Sequence, residues 1–239
     1  MQRIHVVAAV VMALAVSTSA ARAQGEHGRG RGRGHEGGPP PVSAEDQQRR
    51  IHDEQQRMTD YRRHLDDEVR NQQQREAELQ AQRRQAQFRA QQEYAAQLAR
   101  QQEQIRAERD YARESYITSP HIYRFRVGGV YRETNQYGAD LLRQAINYGY
   151  REGYRAGEAD RRDRWRFDYA NSPAYLEATF GYTGSFIDQA DYSYYFRQGF
   201  QRGYEDGYYS RLRYGSAANG TYSILANVLG GILQLTTIH

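Results

Sequence analysis

Cysteine and lysine are both missing from the 239 residues. Without cysteine the chain can form no disulfide, no thiolate nucleophile and no Cys-ligated metal centre, so its stability must come from packing. Without lysine, all 33 basic residues are arginine. Codon usage in a GC-rich genome accounts for much of that choice, and guanidinium stacking on the 21 tyrosines adds a physical reason. Neither G-x-S-x-G nor H-E-x-x-H occurs, and Gly128-Gly129 has no phosphate-loop spacing. No metal or cofactor is therefore expected. The apolar run Val6–Val16 is too short to span a bilayer. Finally, neither glycine nor proline appears from Ser43 until Pro120.

What is present divides the chain into four. Residues 1–23 read as a secretory signal peptide, with Arg3, the apolar run and the small-x-small cleavage site Ala21-Arg22-Ala23. The expected mature chain begins at Gln24, is exported to the periplasm or beyond, and has no transmembrane span. Residues 24–42 are a Gly/Arg/Pro linker that cannot bury a core and is expected to be disordered. Its Arg-Gly alternation suits anionic lipid or polysaccharide in an exported chain, although a plain tether explains it as well. His27 and His35 have no cysteine or spaced partner with which to bind a metal. The formal charge of +4 falls to +2 once Arg3 and Arg22 leave with the signal, which argues against nucleic acid as a partner.

Residues 43–117 are rich in Gln, Arg, Glu and Ala, and Ser43 with Asp46 opens a helix. Acid-first ion pairs such as Glu45–Arg49, Asp53–Arg57 and Asp66–Arg70 support it. A continuous helix would extend for roughly 110 Å. Ala44, Ile51, Met58, Leu65, Leu79 and Ala86 share one heptad position, and Leu98, Ile105 and Ala112 restart it in another phase. The companion seam is mostly polar, at Gln48, Gln55, Arg62, Glu76 and Arg83, with only Val69 apolar. A solvent-exposed single helix and a weak self-associating coiled coil are both open readings.

Eighteen of the tyrosines lie from Tyr116 onward, 17 of them in residues 118–239. Tyr123–Val127 and Val130–Thr134 flank Gly128-Gly129 as a short β-hairpin, with Val127 opposite Val130 and Arg124 opposite Glu133. The chain then says one thing twice. Gly149-Tyr150-x-x-Gly153-Tyr154-x-x-Gly157 recurs as Gly199-Phe200-x-x-Gly203-Tyr204-x-x-Gly207. Helices are expected from Asp140 to Asp163 and from Asp188 to Arg211, with a short one from Pro173 and an apolar one over Tyr222–Leu235. Each glycine inside a helix costs roughly 1 kcal/mol against alanine, about 6 kcal/mol for the six. Close backbone approach can offset that, as in small-xxx-small packing. Arg151, Glu152, Arg155, Glu158 and Asp160 exclude a bilayer setting. The expected arrangement is an antiparallel GxxxGxxxG helix hairpin walled by Tyr150, Tyr154, Phe200, Tyr204 and Tyr208.

These expectations describe a mainly α protein. The function expected of it is that of a non-catalytic structural, spacer or interaction protein of a bacterial-type cell envelope, bridging to an envelope polymer or a protein. One alternative is a glycan-binding module using the five aromatic residues as an open, Tyr-lined groove. A second is a glycan-acting enzyme with a carboxylate pair, such as Glu152 with Asp206 or Asp160 with Asp163.

Overall fold

The computed structural model describes residues 43–107 and 117–238. The signal, the linker and the end of the long polar stretch lie outside them. The chain is mainly helical with small antiparallel hairpin sheets. Helix α1 (Ala44–Ala81) starts where Ser43 Oγ accepts from the Asp46 N–H at 3.1 Å. Its 38 residues span about 57 Å at helical rise.

The expected continuous helix ends at Ala81. Arg83 takes a left-handed φ of 56°. The Arg84 N–H then reaches back to Leu79 O and the Arg83 N–H to Gln80 O, the closure that glycine usually makes. Helix α2 (Gln85–Ala107) folds back along α1, so that Gln101 donates to Tyr61 Oη and Gln102 to Asp66. What starts α2 comes from far along the chain. Asp163 Oδ1 and Oδ2 accept from the Ala86 and Gln87 N–H groups, both at 2.8 Å. A cap supplied from that distance leaves no local signal in the sequence.

Strands β1 (Tyr123–Val127) and β2 (Val130–Thr134) pair antiparallel around Gly128 and Gly129, both at positive φ. Val127 faces Val130, and Arg124 faces Glu133 at 2.9 Å. Helix α3 (Gln136–Arg162) follows at once, capped by Asn135. A 3₁₀ turn at Tyr169–Asn171, helix α4 (Pro173–Glu177) and a loop lead to helix α5 (Gln189–Tyr208). Both long helices end as α1 does, with Arg164 and Ser210 in the left-handed region.

The expected apolar helix over Tyr222–Leu235 is divided. Asn219-Gly220, both at positive φ, turns β3 (Gly215–Ala218) into β4 (Thr221–Ile224), a hairpin its Asn-Gly step could have announced. Only Ala226–Leu233 is helical (α6), and β5 (Thr236–Thr237) returns to pair with β1. Helix Tyr222–Leu235 is lost because Tyr222 stacks on Tyr154 with centroids 3.7 Å apart, which holds that stretch extended against α3. One apolar cluster takes in Tyr61, Leu65, Tyr94 and Leu98 of the polar helices as well as α3 and α5.

Candidate functional site

The two copies of the repeat lie side by side on α3 and α5. A methyl carbon placed on Gly149 would sit 1.9 Å from Phe196 O, on Gly153 2.1 Å from Phe200 O, and on Gly157 2.2 Å from Tyr204 O. In return Gly199 would meet Ile146 O at 2.0 Å, Gly203 Tyr150 O at 1.9 Å, and Gly207 Tyr154 O at 2.1 Å. Each glycine thus turns a Cα–H toward a carbonyl of the other helix, a contact worth about 0.5–1 kcal/mol where it forms.

The residue numbers rise together along both helices, so the pair is parallel. This corrects the antiparallel hairpin expected from the sequence. The reason is the segment 163–188, long enough to carry the chain back along α3 before α5 begins. That segment is also what covers the aromatic wall. Tyr169 and Tyr175 pack edge-on against Tyr204 and Phe200.

Tyr150, Phe200 and Tyr204 are 0 % exposed, Tyr154 is buried and Tyr208 half-buried. The open tyrosine groove is therefore absent at these residues. Phe200, Tyr204 and Tyr208 stack in sequence down α5. Two hydroxyls cross from helix to helix: Tyr150 Oη donates to Asp206 at 2.9 Å and Tyr204 Oη to Asp160 at 2.5 Å. Burial, followed by these carboxylates, raises both phenols above their ordinary range.

The candidate carboxylate pairs have separate partners. Asp206 also accepts from the Arg213 and Tyr214 N–H groups, while Glu152 meets Arg151 and Arg155. Asp160 is bound to Tyr204 and Arg84, and burial raises its pKa in spite of them. Asp163 caps α2.

Two features carry chemistry that the sequence reading missed. Glu177, fully enclosed, accepts from Tyr94 Oη, Thr179 Oγ1 and the Thr179 N–H, and lies 3.6 Å from His64 Nε2. Burial alone would raise Glu177, but His64, Thr179 and Tyr94 outweigh it and hold the carboxyl below its ordinary value. The second feature is a cleft of about 260 Å³ between α1, the first hairpin and the start of α5. There Asp188 bridges Arg132 at 3.1 Å and Arg57 at 3.5 Å, and Arg132 reaches Asp191 at 3.3 Å. Burial pushes Asp191 up to about 6 although Arg132 opposes it. Both signs of charge line the cleft, so it selects no simple ion. Asp188 stands at the N-terminus of α5, but its side chain makes no capping bond there and is taken up by these ion pairs.

Among the described residues no cluster of three or more His, Asp or Glu is placed to hold a metal ion. Nor, among them, is any helix long and apolar enough to cross a membrane. Comparison with family models, curated proteins and solved structures finds no match for this chain.

Proposed function

We propose that the chain is an exported, non-catalytic structural or interaction component of a bacterial-type cell envelope, built around the paired GxxxGxxxG helices. The observation that carries this reading is the reciprocity of those helices. Six glycines and two Tyr–Asp bonds satisfy each other across the pair, which fits a rigid scaffold better than a reactive pocket. The spacer role is recast by the fold: α1 and α2 double back, so the reach is that of one 38-residue helix and not of a single long rod.

Contact with a partner then falls to the outer face. The first hairpin ends in Val130 and Tyr131, 61 % and 65 % exposed, with Arg126 over the Tyr131 ring. An exposed aromatic beside an arginine suits a protein or polymer surface. The test uses the full chain as bait on solubilised envelope fractions, with Tyr131→Ser as the comparison. Recovery of an envelope component that falls severalfold with Tyr131→Ser supports the reading. Fractionation of the chain entirely to the cytosol, or a turnover abolished by Asp160→Asn or Asp206→Asn in a folded variant, would overturn it.

A further inference from the structure

We propose that the groove between the C-terminal turns of α1 and the segment 165–176 binds a neutral glycan through an acetamido group. The groove encloses about 480 Å³, and its walls stand where the ends of α1 and α3 meet. Both ends are fixed: Arg83 and Arg164 close their helices in the left-handed region, and Asp163 locks the start of α2 beside them. The site is thus built on rigid elements.

Its chemistry narrows the ligand. The three cations of the groove are already neutralised, Arg75 by Glu68 at 2.6 Å, Arg84 by Asp160 at 2.5 Å and Arg166 by Asp168 at 3.2 Å. A strongly anionic ligand gains little from such a lining. Gln74 and Asn171 offer both donors and acceptors, the property that matches sugar hydroxyls.

Two N–H donors of the groove have no partner, Trp165 Nε1 and the Nε of Arg84, a residue only 8 % exposed. Buried donors of this kind call for a carbonyl oxygen. Leu176 stands at the rim, 51 % exposed, as a seat for a methyl group. An acetamido group brings a carbonyl, a methyl and an N–H together, and Asp168 in the same lining can accept that N–H. Arg166 stands over the indole at 5.7 Å, and its exposed side chain can turn aside while its pair with Asp168 is kept. The inference deepens the envelope reading, which supplies the source of the glycan but not the chemistry of the groove.

Trp165 is the one tryptophan in the chain, so its indole N–H gives a single resonance and its fluorescence reports this groove alone. The full chain is titrated with triacetylchitotriose, with cellotriose, which lacks the acetamido groups, and with a blocked trialanine peptide. The expected result is a saturable shift of the indole resonance with triacetylchitotriose and about tenfold weaker binding of cellotriose. Calorimetry on Trp165→Phe, which keeps the ring and removes the N–H, should lose about tenfold in affinity. Leu176→Ser, at an exposed position, should weaken binding without lowering the melting temperature. Equal responses to the two trisaccharides, a response to the peptide alone, no saturable shift, or undiminished binding by folded Trp165→Phe would each overturn the proposal. Failure here leaves the fractionation result untouched, so the two readings fail separately.

Discussion

Between α3 and α5 the closest contacts are with backbone, flanked by two Tyr–Asp bonds, whereas between α1, α2 and the rest they are between side chains, many of them polar. The first interface is made by deleting side chains: at each of six glycines a carbonyl of the opposite helix occupies the space a Cβ would need. The second follows a three-four spacing on α1 through Glu54, Met58, Tyr61, Leu65 and Glu68, all buried. Its polar members are tolerable because each has a partner. Glu54 accepts from the Phe186 N–H at 2.8 Å, Tyr61 Oη meets Thr179, and Glu68 pairs with Arg75 at 2.6 Å. A backbone interface tolerates no added atom, while a polar one tolerates change in proportion to the bond removed.

The largest expected effect tests that contrast directly. Gly153→Ala and Gly203→Ala each force a methyl to about 2 Å from a carbonyl oxygen, and the obstacle is backbone that cannot rotate away. Each should lose about 3 kcal/mol or more in urea unfolding, even though alanine favours a helix by roughly 1 kcal/mol. At Gly230 in α6, nothing lies within 4 Å of the added methyl. Gly230→Ala should therefore gain up to about 1 kcal/mol. Equal unfolding midpoints for the two classes would show that the α3–α5 approach is not what holds the pair.

The same contrast explains what could be read from the residues alone. The repeat marks α3 and α5 because glycine at every fourth position is costly in a helix and visible as a pattern. The direction of the pair depends on the segment 163–188, whose route is set by Tyr169, Tyr175 and Glu177 packing on other elements, and no local spacing encodes that. The turn at Arg83 was invisible for a related reason: its left-handed residue is an arginine, and its cap, Asp163, is distant in sequence. On α1 the seam judged by Gln48, Gln55 and Arg62 was the wrong companion row. The buried row runs through Glu54, Tyr61 and Glu68, residues whose partners only tertiary structure supplies. The Asn219-Gly220 turn is legible in the residues, although the apolar run behind it favours a helix by composition.

An intermediate effect is expected where the two regions are joined. Asp163→Ala removes two charge-assisted bonds to the α2 N-terminus and should cost about 1–2 kcal/mol. Hydrogen exchange gives the sharper readout. The Ala86 and Gln87 amides should lose protection first, with α3 and α5 amides changing far less. Uniform loss across α1, α2, α3 and α5 would mean that Asp163 supports the whole fold and not the start of α2.

The smallest effect concerns pH, and it separates the two interfaces because a histidine sits in the polar one while the glycine–carbonyl contacts hold no ionisable side chain. His64 on α1 lies 3.6 Å from the buried Glu177 carboxylate, which raises the imidazole pKa above its ordinary 6.5 although burial opposes it. Asp67 and Glu68 on α1 push in the same direction, and the Tyr61 ring stacks beside the imidazole. A raised histidine pKa contributes stability that is complete below pH 6.5 and fades as pH climbs through the folded value. Glu177 keeps its bonds to Tyr94 and Thr179 throughout, so the site loosens without coming apart. Exchange of amides near Tyr61–Leu65, corrected for intrinsic rates, should therefore quicken as pH rises above 6.5 relative to amides at 150–157. The glycine–carbonyl contacts of α3 and α5 hold no titrating group, so protection there should stay level. His64→Gln should remove the pH dependence of the α1 amides in that window. If the slope persists in His64→Gln, or if α3 loses protection in step with α1, the polar interface does not owe its pH dependence to this pair.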